Sequence, residues 1–340
     1  MPGVLGSSLP IAAAPMAGGP STVALARAVA GAGGFPFLAG GYATPEALST
    51  AVEDVRSAGR PFGVNLFVPG SDRLDDAAFR AYAARLQPEG EPYGLDLAAA
   101  EPVLDDDHWP AKLALLLERP VPVVSLTFAL PTPREVAALR RAGSRVLATV
   151  TTPAEARAAR ETGVDGLVVQ GSGAGAHSAT LDPHRFPAPV PLEDLVRSVV
   201  AEAGLPVIAT GGVDGPAAVR RLLAAGAEGV AVGTLLLLTD ESGASTTHRA
   251  ALADPRFTET VLTRAFTGRP ARALRNGFID RHGAHAPVGY PAVHHLTRPL
   301  RQAAARAGDA DRLHLWAGTG WRSAAGGPAG DVVQHLARGL

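Results

Sequence analysis

The chain has 340 residues, 46% hydrophobic and 19% charged, a globular composition long enough for one large α/β domain or two smaller ones. A formal net charge of -1 makes no electrostatic case for binding nucleic acid or an anionic membrane. There is no cysteine, which excludes disulfides, thiolate nucleophiles, Fe–S clusters and zinc–cysteine sites.

The opening MPGVLGSSLPIAAAP has no basic residue before its apolar part, which argues against a secretory signal, and apolar runs such as 230–238 are too short to span a bilayer. A soluble cytoplasmic protein is the expectation. PIAAAP (10–15) predicts a strand and residues 21–34 a helix, with Ser21 as its N-cap. FPFLAGG (35–41), a helix over 44–59 and the strand PFGVNLF (61–67) follow. Residues 70–118 break the pattern, being acidic, proline-punctuated and without a clear buried strand. The alternation resumes with VPVVSLTF (121–128), SRVLATV (144–150), DGLVVQG (165–171), LPVIATGG (205–212) and EGVAVGT (228–234). Helices are predicted between them over 132–143, 152–163, 191–204 and 215–227. Residues 241–340 carry helical pieces and proline breaks.

Apolar runs without strict alternation suit strands buried on both faces of a parallel sheet. Eight of them over about 240 residues predict an α/β fold, a (β/α)8 TIM barrel, rather than an open doubly wound sheet. No GxGxxG opens a helix after the first run. The expected organisation is a barrel from 1–69 and 119–240, with a smaller, mostly helical cap domain from 70–118 and 241–340 over its mouth. Part of 241–340 is expected to return to the barrel.

In such barrels function collects where strands end. The ends here are short of bulky groups, as if something flat lies against the backbone. Gly211 and Gly212 after the seventh run, and the end of the eighth at Ala231, Val232, Gly233 and Thr234, form the pattern of an anion nest where barrels often hold a phosphate. A phosphate beside a flat neutral surface suggests FMN. Pro15, Met16 and Ala17 are candidates for a floor under its ring, and Asn65 and Gln170 for amide contacts to a ring edge. His177 stands among small residues in VVQGSGAGAHSAT (168–180) and is the candidate general base.

These blocks, PIAAAPMAGGPST, GGFPFLAGGYATPEAL, PFGVNLFVP, VVSLTF, VVQGSGAGAH, PVIATGGV and GVAVGT, with HRAAL, LTRAFTGRPAR and LWAG further on, resemble the nitronate monooxygenases, formerly 2-nitropropane dioxygenases. The resemblance implies an FMN-bound barrel with a helical cap that oxidises alkyl nitronates, and neutral nitroalkanes as a further class, with O2. By the same matching His177 resembles the catalytic histidine. Met16, Asn65, Gln170, Gly175, Gly212 and the segment Ala231 to Thr234 resemble flavin-binding positions. Two departures stand out: Gly173 where members commonly have Glu, and Ala176-His177-Ser178-Ala179 where they have Gly-His-Arg-Gly.

Other features are weaker. Lys112 is the only lysine and has no sign of a catalytic setting. His282 with His285 and His294 with His295 lack accompanying carboxylates in a recognisable pattern, so no metal is expected. Asp105 to His108 reads as a solvated cap loop, and Tyr290 and Trp316 as cavity-lining or core residues. Two other functions remain open. One is an FMN-dependent NAD(P)H reductase of quinones or enoyl thioesters, with Arg134, Arg140 and Arg141 as the only candidates for a second phosphate. The other is a flavin barrel retired from catalysis.

Overall fold

The computed structural model describes residues 3–70 and 74–340. Eight parallel strands close into one barrel: β1 Ile11–Ala13, β2 Phe35–Ala39, β3 Gly63–Phe67, β4 Val123–Thr127, β5 Arg145–Val150, β6 Gly166–Gln170, β8 Val207–Thr210 and β9 Gly229–Val232. The missing number, β7 Ala176–His177, lies outside the barrel. The circle closes where β1 pairs with β9, Ile11 opposite Val230 and Ala13 opposite Val232. These are the eight apolar runs of the sequence. Each is buried on both faces because side chains fill the barrel on one side and meet helices on the other. Phe35, Phe37, Val123, Leu147 and Ile208 plug the interior.

The ring helices are α1 Val23–Gly31, α2 Pro45–Arg56, α4 Trp109–Glu118, α5 Pro133–Ala142, α6 Pro153–Glu161, α7 Leu192–Ala203 and α8 Pro216–Ala224, with α3 Asp76–Gly90 set apart. Three of them open on the same device. Thr44, Thr132 and Thr152 each accept from a first-turn N–H, and a proline follows at the first helical position. The first helix begins one residue later than expected: Thr22 is its N-cap, while the Ser21 hydroxyl accepts from the Met16 N–H at 2.8 Å.

The stretch 70–118 divides. Helix α4 packs against α2 and α5 in the ring. Helix α3 packs instead against α11 Ala292–Ala307. Around that pair a second core forms from Phe79, Tyr82, Leu86, Phe266, Phe278 and Leu300. Below it lies an antiparallel sheet of β10 Thr260–Thr263, β11 Ala271–Leu274 and β7. The remaining helices are α9 Thr246–Ala253, α10 Gly277–His282 and α12 Ala329–Leu336, the last packed on α1 and α8. Pro299 does not break its segment. It sits inside α11, whose buried face at Leu296, Leu300 and Ala304 offsets the lost backbone hydrogen bond. Among the described residues no helix is long and apolar enough to cross a membrane.

Candidate active site

The C-terminal ends of the barrel strands open into a cavity of about 440 Å³, within the range of small-molecule sites. Pro15, Met16 and Ala17 reach it from β1, Asn65 from β3, Gln170, Gly175 and His177 from β6 and the loop after it. Gly211 and Gly212 reach it from β8, and Ala231, Val232, Gly233 and Thr234 from β9. All the residues singled out in the sequence for cofactor and chemistry therefore line one space.

The rim beside β8 and β9 is built from backbone. Gly212 has φ 73°, and a Cβ there would meet Thr319 Oγ1 at 2.5 Å. The loop 173–175 runs against 317–319: a Cβ on Gly175 would lie 2.6 Å from the Gly318 nitrogen. At Gly173 a Cβ would lie 2.8 Å from Thr319 Oγ1, so a glutamate cannot stand there unless Thr319 moves. The Thr234 hydroxyl accepts from the Gly318 N–H at 3.0 Å and keeps its proton for a ligand.

The two amides behave differently. The Asn65 NH2 donates to Ser125 O, Ser125 Oγ and Thr127 Oγ1 at 2.9–3.1 Å, and no hydrogen bond among the described residues uses its Oδ1. The Gln170 amide is taken up at both ends: Nε2 donates to His177 O at 3.1 Å, and Oε1 accepts from the Ala179 N–H at 2.7 Å. Gln170 therefore holds the histidine segment in place.

His177 is not simply beyond the sixth strand. As part of β7 it pairs with Ala271 of β11, which seats it in the small antiparallel sheet. Ala176 before it takes φ 61°, a left-handed conformation that costs an alanine about 1 kcal/mol. The imidazole is ringed by Phe128, Tyr290 and Trp316, with centroids 5.4–5.7 Å away. Its Nε2 lies 2.9 Å from the Thr267 hydroxyl. Burial, then the nearby Arg269 and Arg301 guanidiniums, push its pKa down to about 3, so the ring is neutral at pH 7.

The opposite wall carries charge. No Asp or Glu lines the cavity among the described residues, while Arg298 and Arg301 do. Arg301 is 6% exposed and donates from Nε to Thr297 Oγ1 at 3.0 Å and from Nη2 to His294 O at 2.9 Å. Burial lowers its pKa to about 10, which leaves it cationic. Arg269, 4% exposed, lies with its guanidinium 4.2 Å from the Phe128 ring centre and donates to Phe128 O, Ser178 O and Thr180 O.

Tyr42, with φ 65°, stacks on His294 at 4.2 Å. Its N–H donates to Asp107 Oδ1 at 2.9 Å, and Asp107 Oδ2 lies 2.7 Å from Lys112 Nζ. The run Asp105 to His108 is thus only partly a solvated loop. Asp107 turns inward to hold the cavity wall, and the sole lysine is its buried partner. Non-glycine residues in left-handed conformation gather here: Tyr42, Phe128 and Ala176 line the cavity, Asp107 bonds Tyr42, and His108 follows Asp107 in the chain. The paired histidines have other partners: His282 Nε2 meets Glu89 at 2.8 Å and His295 Nε2 meets Asp105 at 2.8 Å. Arg140 pairs with Asp165 at 3.1 Å.

Thr267, Arg269 and Arg301 were not singled out in the sequence. One signal was available: His294, Thr297 and Arg301 recur at helical spacing on a helix whose other buried positions are apolar, with Arg298 one residue on from Thr297.

A closed parallel barrel with its cavity at the strand C-termini, a backbone-built rim and His177 among the residues lining it defines a TIM-barrel enzyme with a small-molecule site. The chain matches the family described as nitronate monooxygenase over residues 5–339 and belongs to that family of oxidoreductases. It is 37% identical to a nitronate monooxygenase of Pseudomonas aeruginosa, covering 99% of this chain and 97% of that one. It is 32% identical to a probable nitronate monooxygenase of Staphylococcus aureus strain Newman, covering 98% and 94%. A nitroalkane oxidase structure from Streptomyces ansochromogenes superposes with a TM-score of 0.92 at 46% identity, covering 97% and 95%. FabK from Thermotoga maritima, 23% identical with a TM-score of 0.76 over 98% and 93%, shares the fold.

Proposed function

We propose that the chain oxidises alkyl nitronates with O2 using FMN, and neutral nitroalkanes after His177 removes their α-proton. The observation that carries this reading is the pairing, in one cavity, of the neutral His177 imidazole and two arginines, with no carboxylate among the described lining residues, opposite a rim of backbone amides. The residues fit a flavin. The left-handed glycine at 212 and the close-packed loops at 173–175 and 317–319 leave a side-chain-free cradle suited to a phosphate. Pro15, Met16 and Ala17 would floor the ring, and the unused Asn65 Oδ1 would accept from a ring N–H. Gln170 would act through the His177 backbone as well as at the ring. FMN, when bound, supplies the redox chemistry that links the nitronate to O2.

The chain's own residues do the rest. Arg298 and Arg301 attract and orient an anionic nitronate, and Phe128, Tyr290 and Trp316 exclude water from the imidazole. A depressed imidazole pKa makes His177 a weak base in the empty cavity. The negative charge formed on the substrate offsets the arginines as the proton moves. Nitronate supplied as the anion is therefore expected to be the better substrate. The test is His177→Asn. It is expected to bind FMN as the parent protein does and to lose at least about 100-fold in nitroethane turnover. Wild-type turnover in this variant rules the base role out. A colourless protein that does not take up FMN rules out the flavin reading.

A further inference from the structure

Thr267 is 1% exposed and lies in the turn that joins β10 to β11. The same hairpin pairs with the histidine segment, Ala271 opposite His177, and Pro270 O accepts from the Ser178 N–H at 2.8 Å. The Thr267 hydroxyl is thus fixed to the element that fixes the imidazole. Two hydrogen bonds meet at its oxygen: His177 Nε2 at 2.9 Å, and Arg269 O at 3.3 Å. A carbonyl oxygen only accepts, so the hydroxyl proton is the one that fills the second contact. That leaves the Thr267 oxygen as acceptor toward Nε2, which must then carry its own proton. Nδ1 makes no hydrogen bond among the described residues, and the ring lines the cavity.

We infer that Thr267 sets the tautomer of His177 so that Nδ1 carries the lone pair presented to substrate, an inference that rests on His177 being the base proposed above. In the step, the α C–H bond of a neutral nitroalkane breaks and its proton bonds to Nδ1. The electron pair of that bond moves onto the nitro group, giving a nitronate and an imidazolium. The Nε2–H to Thr267 contact is the same before and after, so no group on the protein has to turn as the proton moves. In the other tautomer the lone pair would be at Nε2, covered by the Thr267 hydroxyl, and the cavity would face an N–H that cannot accept a proton. Thr267 is a positioning residue in this account, since it acts only through His177. A hydroxyl partner also gives the imidazolium no countercharge, unlike the carboxylate of a Ser-His-Asp triad. The nitronate formed must supply it.

The experiment is nitrogen NMR of the FMN-loaded protein with 15N-labelled histidine, His177 being assigned by loss of its signals in His177→Asn. The expected result is a protonated, pyrrole-type Nε2 and a pyridine-type Nδ1 in the wild type. In Thr267→Val the two tautomers mix. With nitroethane, kcat is expected to fall about 10- to 100-fold at little changed KM, with a smaller loss on ethyl nitronate. Thr267→Ser is expected to restore both the tautomer and the rate. A pyridine-type Nε2 in the wild type overturns the inference, even if Thr267→Val does not fold. So does a Thr267→Val protein with wild-type spectrum and rate. If His177→Asn is inactive on nitroethane while Thr267→Val is unchanged, the tautomer inference fails and the base role stands. If His177→Asn keeps wild-type turnover, the base role fails with it.

Discussion

The cavity has two walls made by different means. The rim at β8 and β9 offers glycines, small residues and main-chain amides, with no charged side chain. The facing wall, from α11 and the β10–β11 hairpin, offers guanidiniums, imidazoles and hydroxyls anchored to one another. Main-chain groups cannot titrate and hold one geometry, which suits binding a cofactor phosphate that stays. Side-chain charges tune proton affinity and choose substrates, and they need burial and partners to be held still. The barrel thus gives shape to one wall, and the added sheet and helices give charge to the other.

The largest effect is expected where the charged wall is fastened to the molecule. Glu89 of α3, 5% exposed, is gripped by Arg281, His282 and Arg312 at 2.6–2.8 Å. Burial works to raise its pKa, but the hydrogen bonds from Arg281 and His282 and the charges of Arg281 and Arg312 outweigh it and hold it at about 2. Glu89→Ala is expected to cost about 3 kcal/mol, because the buried His282 imidazole loses its partner and Arg281 and Arg312 keep only Asp311 and Asp309. Thermal unfolding followed by circular dichroism reads this directly. An unchanged melting temperature would mean the charged wall is held by its apolar core alone. The pH dependence has a definite sign. A carboxylate held below its ordinary 4.5 contributes stability that is complete above that value and is lost as pH falls toward about 2.

On the backbone wall, Gly212→Val forces a β-branched residue into φ 73° with its Cβ against Thr319. FMN affinity is expected to fall about 100-fold, with circular dichroism unchanged. Retained affinity, measured by flavin fluorescence titration, would show that this rim does not hold the phosphate.

The smallest effect sharpens the charged wall. Arg301→Met removes one cation that lowers the His177 pKa, so that pKa rises from about 3, only part of the way because burial, the larger cause, and Arg269 remain. The acid limb of kcat/KM on nitroethane, where activity is lost as His177 protonates, moves to higher pH. KM for ethyl nitronate is expected to rise about tenfold. An unmoved limb would separate Arg301 from the imidazole.

Much of the site was legible because it follows strand ends. Gln170, Gly212 and Thr234 stand at or just past the ends of apolar runs, and Asn65 is the polar residue inside one, with strand register placing Asn65 and Gln170 beside their barrel neighbours. Gln170 shows the limit of such a reading. Its position was foreseeable, but the bonds it makes to His177 O and Ala179 N depend on a loop folding back, which periodicity does not record. The proline breaks expected in 241–340 and the solvated loop expected at Asp105 to His108 followed local rules, which tertiary burial overrode at Pro299 and Asp107. Thr267 was invisible for another reason: it lies 90 residues from His177, and nothing in its neighbours announces which cavity it faces, while the helical spacing that includes Arg301 marks a polar face without saying what it meets.

By itself, the sequence determined the barrel, the order of its strands and the rim. Those rest on apolar patterning and Thr-Pro helix starts, forces acting over a few residues. Only the tertiary structure decided the electrostatics around His177. That depends on which distant arginines are buried beside it and which hydroxyl reaches Nε2, and Coulomb energy and hydrogen bonding act across space rather than along the chain.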